Sequence, residues 1–175
     1  MRRATLGSLF LALLSISCFG QTDGWKRHTN NAGNFTALFP VDPQDSVNKS
    51  DNEIESHTLL AQQSPFIYTV IYTNMKGEQQ VNEATYETFK NAVFKELPKC
   101  EVGTEAPPAP AIENYIGHWY RLNCDMTPNK VTVLGNLYWG KHHAYAVMVM
   151  YRSDLTEPAA GRSFLKSFAV LDQSK

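Results

Sequence analysis

The most apolar segment of the chain is AYAVMVMY, residues 144–151, which carries no charge. Side chains on a strand alternate between the two faces of a sheet. Tyr145 and Val147 fall on one face here, and Ala146 and Met148 fall on the other. Because both sets are apolar, the pattern predicts an interior strand that is covered on both faces. A helix is the alternative, and the valines and tyrosines favour the strand.

Several other segments also have the pattern of strands. The segment FIYTVIYT, residues 66–73, is rich in aromatic and β-branched residues and alternates in the same way. Residues 41–52, VDPQDSVNKSDN, are predicted to be a loop because of their composition. The other predicted strands are a hairpin over residues 25–40 and single strands over 54–61, 115–124 and 130–139, with a turn over 140–143.

A long helix is predicted over residues 82–97, with Asn82 as its N-cap. Its apolar residues recur at helical spacing and form one stripe that we expect to be buried. The stripe consists of Tyr86, Phe89, Val93 and Leu97.

A second, shorter helix is predicted near the end of the chain. Thr156 is a suitable N-cap, and Pro158 is tolerated in a first turn. Gly161 inside the helix costs about 1 kcal/mol relative to alanine, so the helix needs a packing face to be stable. That face consists of Ala160, Phe164, Leu165 and Phe168.

The order of these elements is strands, a helix, more strands and a final helix. This order predicts an α+β fold, in which an antiparallel sheet of about six to seven strands has helices packed on its surfaces.

The first 20 residues have the pattern of an export signal. Two arginines, Arg2 and Arg3, precede a charge-free apolar run over residues 6–19 that is too short to span a membrane. Cleavage after Gly20 would leave residues 21–175 as one domain without a membrane span. The alternative is lipoprotein processing at Cys18. We favour cleavage after Gly20, and with it a periplasmic or extracellular location.

Cleavage would leave two cysteines, Cys100 and Cys124. In an oxidising compartment such a pair predicts a disulfide, which would stabilise the fold by roughly 3 kcal/mol. The alternatives are reactive thiols or a metal-binding pair. The absence of a C-x-x-C motif argues against both.

Charge excludes some partners. The chain has 16 basic and 17 acidic residues, and removal of Arg2 and Arg3 leaves 14 against 17, a net charge near −3. This balance is not typical of nucleic-acid binding. No basic amphipathic helix indicates binding to a membrane surface.

The order of elements resembles the PsbP-like fold, which is shared by the extrinsic photosystem protein PsbP, a Ran-binding nuclear import factor and periplasmic proteins of the DcrB type. The matching segments are FTALFP, FIYTVIYT, the helix over 82–97, YIGHWYRL, AYAVMVMY and RSFLKSF. The last contains a Phe-x-x-Ser-Phe motif, Phe164, Ser167 and Phe168, similar to that of many exported members. The Pro-rich segment over 104–110 and the cysteine pair lie outside the shared pattern.

The resemblance implies an α/β/α sandwich that acts in binding or assembly, and it carries over no catalytic residues. The residues themselves agree, because the chain lacks the common nucleophile, dinucleotide, phosphate-loop and zinc-protease motifs. We therefore predict neither a cofactor nor catalysis.

Two histidines, His142 and His143, are candidates for a metal site. Neighbouring residues on a strand point in opposite directions, so a site would need a turn geometry and a third ligand such as His118 or His28. The spacing favours the plainer interpretation, two exposed histidines at the tip of a hairpin.

Two tryptophans, Trp119 and Trp139, are candidates for an aromatic binding surface. Each follows or precedes a tyrosine, so one ring of each dipeptide should face the core and the other should face outward. Packing of one ring and cover of a sheet edge by the other is the alternative that we favour.

The predicted function is an exported, non-catalytic binding or assembly domain whose partner is unknown. A small-ligand or metal carrier is the alternative, and a hydrolase with dispersed catalytic residues is the third. A binding domain should expose an apolar patch, whereas a carrier should contain a pocket.

Overall fold

The computed structural model describes residues 22–49, 55–95, 97, 99–103, 109–126 and 128–171. Within them the chain forms ten strands and two helices, which confirms a mixed α+β fold. The predicted signal peptide, residues 1–20, lies outside the described residues, and so does Cys18. Neither of the two helices is long and apolar enough to cross a membrane.

The elements have the following bounds. The strands are β1 (Lys26–Asn30), β2 (Phe35–Phe39), β3 (Gln44–Lys49), β4 (Glu55–Gln63), β5 (Phe66–Asn74), β6 (Cys100–Val102), β7 (Ile116–Met126), β8 (Asn129–Trp139), β9 (His143–Arg152) and β10 (Ala169–Val170). The helices are α1 (Glu83–Lys95) and α2 (Ala159–Ser167).

Strand β9 lies at the centre of a seven-stranded sheet with the order β3-β4-β5-β9-β8-β7-β6. All neighbouring strands are antiparallel. Val147 of β9 is fully buried on one face and Ala146 is buried on the other. The prediction of an interior strand covered on both faces is confirmed.

A second sheet, with three strands in the order β1-β2-β10, shares no strand with the large sheet and packs against one of its faces. The expectation of a single sheet was therefore wrong, although the hairpin over 25–40 was correct. After α2 the chain returns to β2, where the backbone N–H of Leu171 donates to the carbonyl of Asn34 at 2.9 Å. Ser167 connects α2 to the same strand, because its Oγ accepts from the N–H of Leu38 at 2.9 Å.

Strand β3 corrects the prediction of a loop over residues 41–52. Its six residues are all exposed, and it forms the edge of the large sheet beside β4. An edge strand with neither face buried needs no apolar alternation, so its sequence resembles a loop. Residues 50–52 lie outside the described residues.

Two hydrophobic cores lie on opposite faces of the large sheet. On one face, α2 and the small sheet contribute Phe35, Phe164 and Phe168, and the rings of Phe35 and Phe168 pack against Tyr145 of β9. On the other face, α1 packs over β7, β8 and β9 with Tyr86 as its one fully buried residue. The helices therefore lie on opposite sides of the sheet.

Helix α2 differs from its prediction at its N-terminus. The N-cap is Pro158, which makes no side-chain capping hydrogen bond, so the assignment of Thr156 was wrong. Gly161 is buried against the sheet, where an added Cβ would lie 3.0 Å from Pro158 Cγ and 3.3 Å from Val149 Cγ1. The glycine permits this close approach of the helix, which offsets its low helix propensity.

Cys100 and Cys124 form the predicted disulfide. They are directly opposite each other on β6 and β7, with Cα atoms 4.0 Å apart. The bond attaches the three-residue edge strand β6 to its neighbour β7.

Candidate ligand-binding groove

A groove of about 920 Å³ runs between α1 and the β4, β5 and β9 part of the large sheet. It exists because α1 packs over β7, β8 and β9, and no other element in the described part of the chain covers the other half of this face. The apolar side chains that line it include Ile71, Phe89, Val93, Trp139, Ala146 and Met148.

The floor of the groove comes from alternate residues of three strands. Thr58 of β4 is paired with Ile71 of β5, which is paired with Ala146 of β9. The residues between them point to the opposite face, where Val70 and Val147 belong to the other core. Strand alternation therefore determines which side chains a ligand could contact.

Helix α1 forms the wall. The Oδ1 of Asn82 accepts from the backbone N–H of Thr85 at 3.0 Å, which confirms Asn82 as the N-cap. The predicted apolar stripe exists, yet Phe89 and Val93 are only half-buried. These side chains face the groove, so the stripe is partly covered by the sheet and partly open.

Trp139 lies in the wall and Trp119 does not. The Trp139 ring is 5.4 Å from that of Phe89, and its Nε1 donates to the carbonyl of Gln80 at 2.9 Å. Trp119 is half-buried against the core on the α2 side. Of the two candidate tryptophans, Trp139 therefore lines the groove, and Trp119 packs against the core on the other face of the sheet.

The ring orientations follow the prediction for one dipeptide only. Tyr138 is buried on the α2 side while Trp139 is half-buried on the other. In the other dipeptide Trp119 and Tyr120 are both half-buried. Both faces of the sheet are partly covered there, so each ring packs against a core and remains partly exposed.

Most polar groups of the groove already have partners within the protein. The hydroxyl of Thr85 donates to the carbonyl of Gln80 at 2.8 Å, and that of Thr88 donates to the carbonyl of Ala84 at 3.0 Å. The hydroxyls of Ser56 and Thr73 are 2.9 Å apart.

Charge is also scarce in the groove. Among its described lining residues only Lys49 is charged, and its Nζ lies 2.6 Å from Glu55 Oε1. No histidine, cysteine or carboxylate belongs to this described lining. The groove can therefore supply mainly apolar contact.

The histidine candidates line a separate cleft of about 450 Å³ at the β8–β9 turn. His142 and His143 share it with Glu113 and Asn114. Burial, and to a smaller extent the neighbouring His142, lowers the pKa of His143.

Neither His118 nor His28, the candidate third ligands, joins the two histidines. His118 lies beside Tyr86 on α1, with ring centroids 4.6 Å apart, and His28 packs on Phe39 at 5.9 Å. Within the part of the chain that the structure describes, no three His, Cys, Asp or Glu residues are placed to hold a metal ion.

Sequence reasoning missed the groove because its residues come from α1 and from five strands, β3, β4, β5, β8 and β9. Ile71 was the one residue that indicated the groove, since it places an apolar side chain on the second face of strand β5. An apolar residue on the second face of a strand predicts that another element covers that face, and α1 covers only part of it here.

No protein-family model, curated protein or solved structure matches this chain.

Proposed function

We propose that this chain is an exported, non-catalytic binding protein whose groove takes a small, uncharged and mainly apolar ligand. The observation that carries this proposal is the groove itself, with a volume of about 920 Å³ and an apolar floor and wall. Small-molecule sites typically have volumes of about 300–1,000 Å³ and are lined mostly by hydrophobic and aromatic side chains.

The chemistry of the lining favours an uncharged ligand. An ionised group costs much free energy to bury unless it is paired. The one charged lining residue, Lys49, already has Glu55 as its partner. Burial of apolar ligand surface contributes about 25 cal/mol per Å², which makes hydrophobic contact the main source of affinity here.

The shape of the site favours a small molecule over a protein partner. A stable protein interface buries about 800 Å² on each partner, and an α-helix with side chains is about 10–12 Å across. The groove lies between one helix and three strands, with Trp139 and Phe89 in its wall. A protein segment remains the other occupant that binding experiments should include.

We also propose a PsbP-like arrangement and export from the cytoplasm. The order of strands, helix, strands and helix supports the first proposal. Arg2, Arg3 and the apolar run over 6–19 support the second, and the disulfide between Cys100 and Cys124 is consistent with it. Mass spectrometry of protein from its native host tests export: a mature chain that begins at Gln21 supports it, and a retained Met1 contradicts it.

Titration with Nile red, an uncharged apolar dye, tests the binding site. Ala92 is exposed on α1 and lines the groove, whereas its neighbour Asn91 is exposed and does not. Ala92→Trp should fill the groove and weaken dye binding at least about tenfold, the equivalent of about 1.4 kcal/mol. Asn91→Trp, the matched control, should leave the affinity within about twofold of wild type. Equal binding by both variants, or no binding by the wild type, would contradict the proposal.

A further inference from the structure

Thr69 of β5 is buried beside the groove without a hydrogen-bond partner. Its side chain is 3% exposed, and its Oγ1 has no partner in the described part of the chain. Strand alternation places it on the groove side, two residues from Ile71. Its neighbour across β9 is Met148, which lines the groove.

An unpaired hydroxyl in this position needs an explanation. Most buried polar groups have a partner, and a buried one without a partner costs about 1–3 kcal/mol. Valine has nearly the same shape and would suit a strand with apolar neighbours such as Ile71. Threonine at this position therefore makes the unliganded protein less stable than valine would.

The other hydroxyls near the groove do not share this feature. Ser56 and Thr73 pair with each other at 2.9 Å, and Thr88 donates to the Ala84 carbonyl at 3.0 Å. Thr69 is distinguished from them because it combines nearly complete burial with a free hydroxyl.

We propose that the ligand of the groove carries one uncharged oxygen, a hydroxyl or a carbonyl, that forms a hydrogen bond with Thr69 Oγ1. The inference rests on the proposed function. The apolar body of the ligand lies against Ile71, Val93 and Met148, and the threonine hydroxyl donates to a carbonyl or accepts from a hydroxyl. Long-chain alcohols, ketones and esters have this chemistry.

Access to Thr69 requires a small rearrangement, because the hydroxyl is covered in the unliganded protein. Met148 is the neighbour that can move, since its unbranched thioether has three rotatable bonds. A carboxylate is excluded as the polar group, because Thr69 provides no charge to compensate it.

Binding of a matched ligand series tests the inference. Dodecane, 1-dodecanol and 2-dodecanone share a chain length and differ in the oxygen, and each can be measured by displacement of Nile red. Thr69→Val should weaken binding of the alcohol and the ketone by about 2–12-fold relative to wild type, as loss of a neutral hydrogen bond predicts. Its affinity for dodecane should be unchanged.

Two further variants act as controls. Thr69→Ser keeps the hydroxyl and should keep the wild-type preference for the oxygenated ligands. Thr132→Val removes a buried hydroxyl that already has Ser153 as its partner, lies outside the groove lining, and should also keep it. The thermal midpoint of unliganded Thr69→Val should equal or exceed that of wild type, because an unpaired hydroxyl is removed.

These experiments distinguish failure of the proposed Thr69 hydrogen bond from failure of the proposed binding site. If Thr69→Val binds all three ligands as the wild type does, the role of Thr69 is overturned while the groove remains a binding site. If the wild type binds neither Nile red nor any ligand of the series, the proposed function fails and this inference fails with it.

Discussion

The hydroxyl oxygens of Tyr86 on α1 and Tyr120 on β7 lie 2.7 Å apart. Tyr86 is the one fully buried residue of its helix, so this hydrogen bond joins the helix to the sheet at its most deeply packed point. Burial, followed by the bond to Tyr120, raises the pKa of Tyr86 and keeps its phenol protonated. This hydrogen bond thereby holds α1, the wall of the groove, against the sheet.

Removal of this hydrogen bond should lower stability. We expect Tyr86→Phe to reduce the free energy of unfolding by about 1 kcal/mol, because the half-buried hydroxyl of Tyr120 loses its partner. Tyr120→Phe should have a similar effect, measured by chemical denaturation. The double variant should be less destabilised than the sum of the two single variants. Strict additivity would show that the two hydroxyls contribute independently.

Loss of the disulfide should destabilise the protein more strongly. Cys100 and Cys124 close a loop with a sequence separation of 24, for which chain entropy predicts roughly 3 kcal/mol. Replacement of both cysteines by alanine should lower the free energy of unfolding by about that amount. A reducing agent should destabilise the wild type and should not affect the double variant. If oxidised wild type and double variant unfold at the same denaturant concentration, the bond contributes nothing.

His143 should make stability depend on pH. Burial, the larger cause, and His142 lower its pKa in the folded protein below the ordinary value of about 6.5. The unfolded chain therefore binds a proton at His143 more readily, so this contribution to stability is complete above about pH 6.5 and is lost as the pH falls toward the folded-state pKa. Thermal midpoints measured between about pH 7.5 and 5 should decline less for His143→Gln than for wild type.

The neighbouring histidine provides the control for this prediction. His142→Gln should retain most of the pH dependence, because burial of His143 persists in that variant. An unchanged pH profile in His143→Gln would contradict the assignment.

Much of the fold could be predicted from local patterns. Strand β9 was recognisable because apolar residues on both of its faces require cover on both sides, and the centre of the sheet provides it. Asn82 and the following stripe predicted α1, since a cap and a helical period reinforce each other. The cysteine pair predicted a disulfide because only two cysteines follow the expected cleavage site.

Other elements could not be predicted in this way. Strand β3 is exposed on both faces, so its six residues show no pattern that burial would impose. Strands β6 and β10 have three and two residues, too few for any period to emerge. The division into two sheets depends on where the chain after α2 returns, which is a property of tertiary packing.

The groove could not be predicted either, because it too depends on tertiary packing. Phe89 and Val93 have the spacing of core residues, and the sequence does not show that α1 leaves β4 and β5 uncovered. A lining that is shared among six elements becomes visible only when their relative positions are known. The candidate histidines and Trp119 stood out because of their chemistry, and of the residues selected in that way only Trp139 lines the groove.

Amide chemical shifts of ¹⁵N-labelled protein, recorded during titration with 1-dodecanol, test the central claim most directly. We predict that the largest shift changes fall on α1 around Val93 and on β5 and β9 around Ile71 and Ala146, which line the groove. Amides of the β1–β2 hairpin and of α2, on the opposite face of the sheet, should change little. Changes concentrated at that hairpin or at the cleft of His142 would contradict the account, and so would the absence of any change.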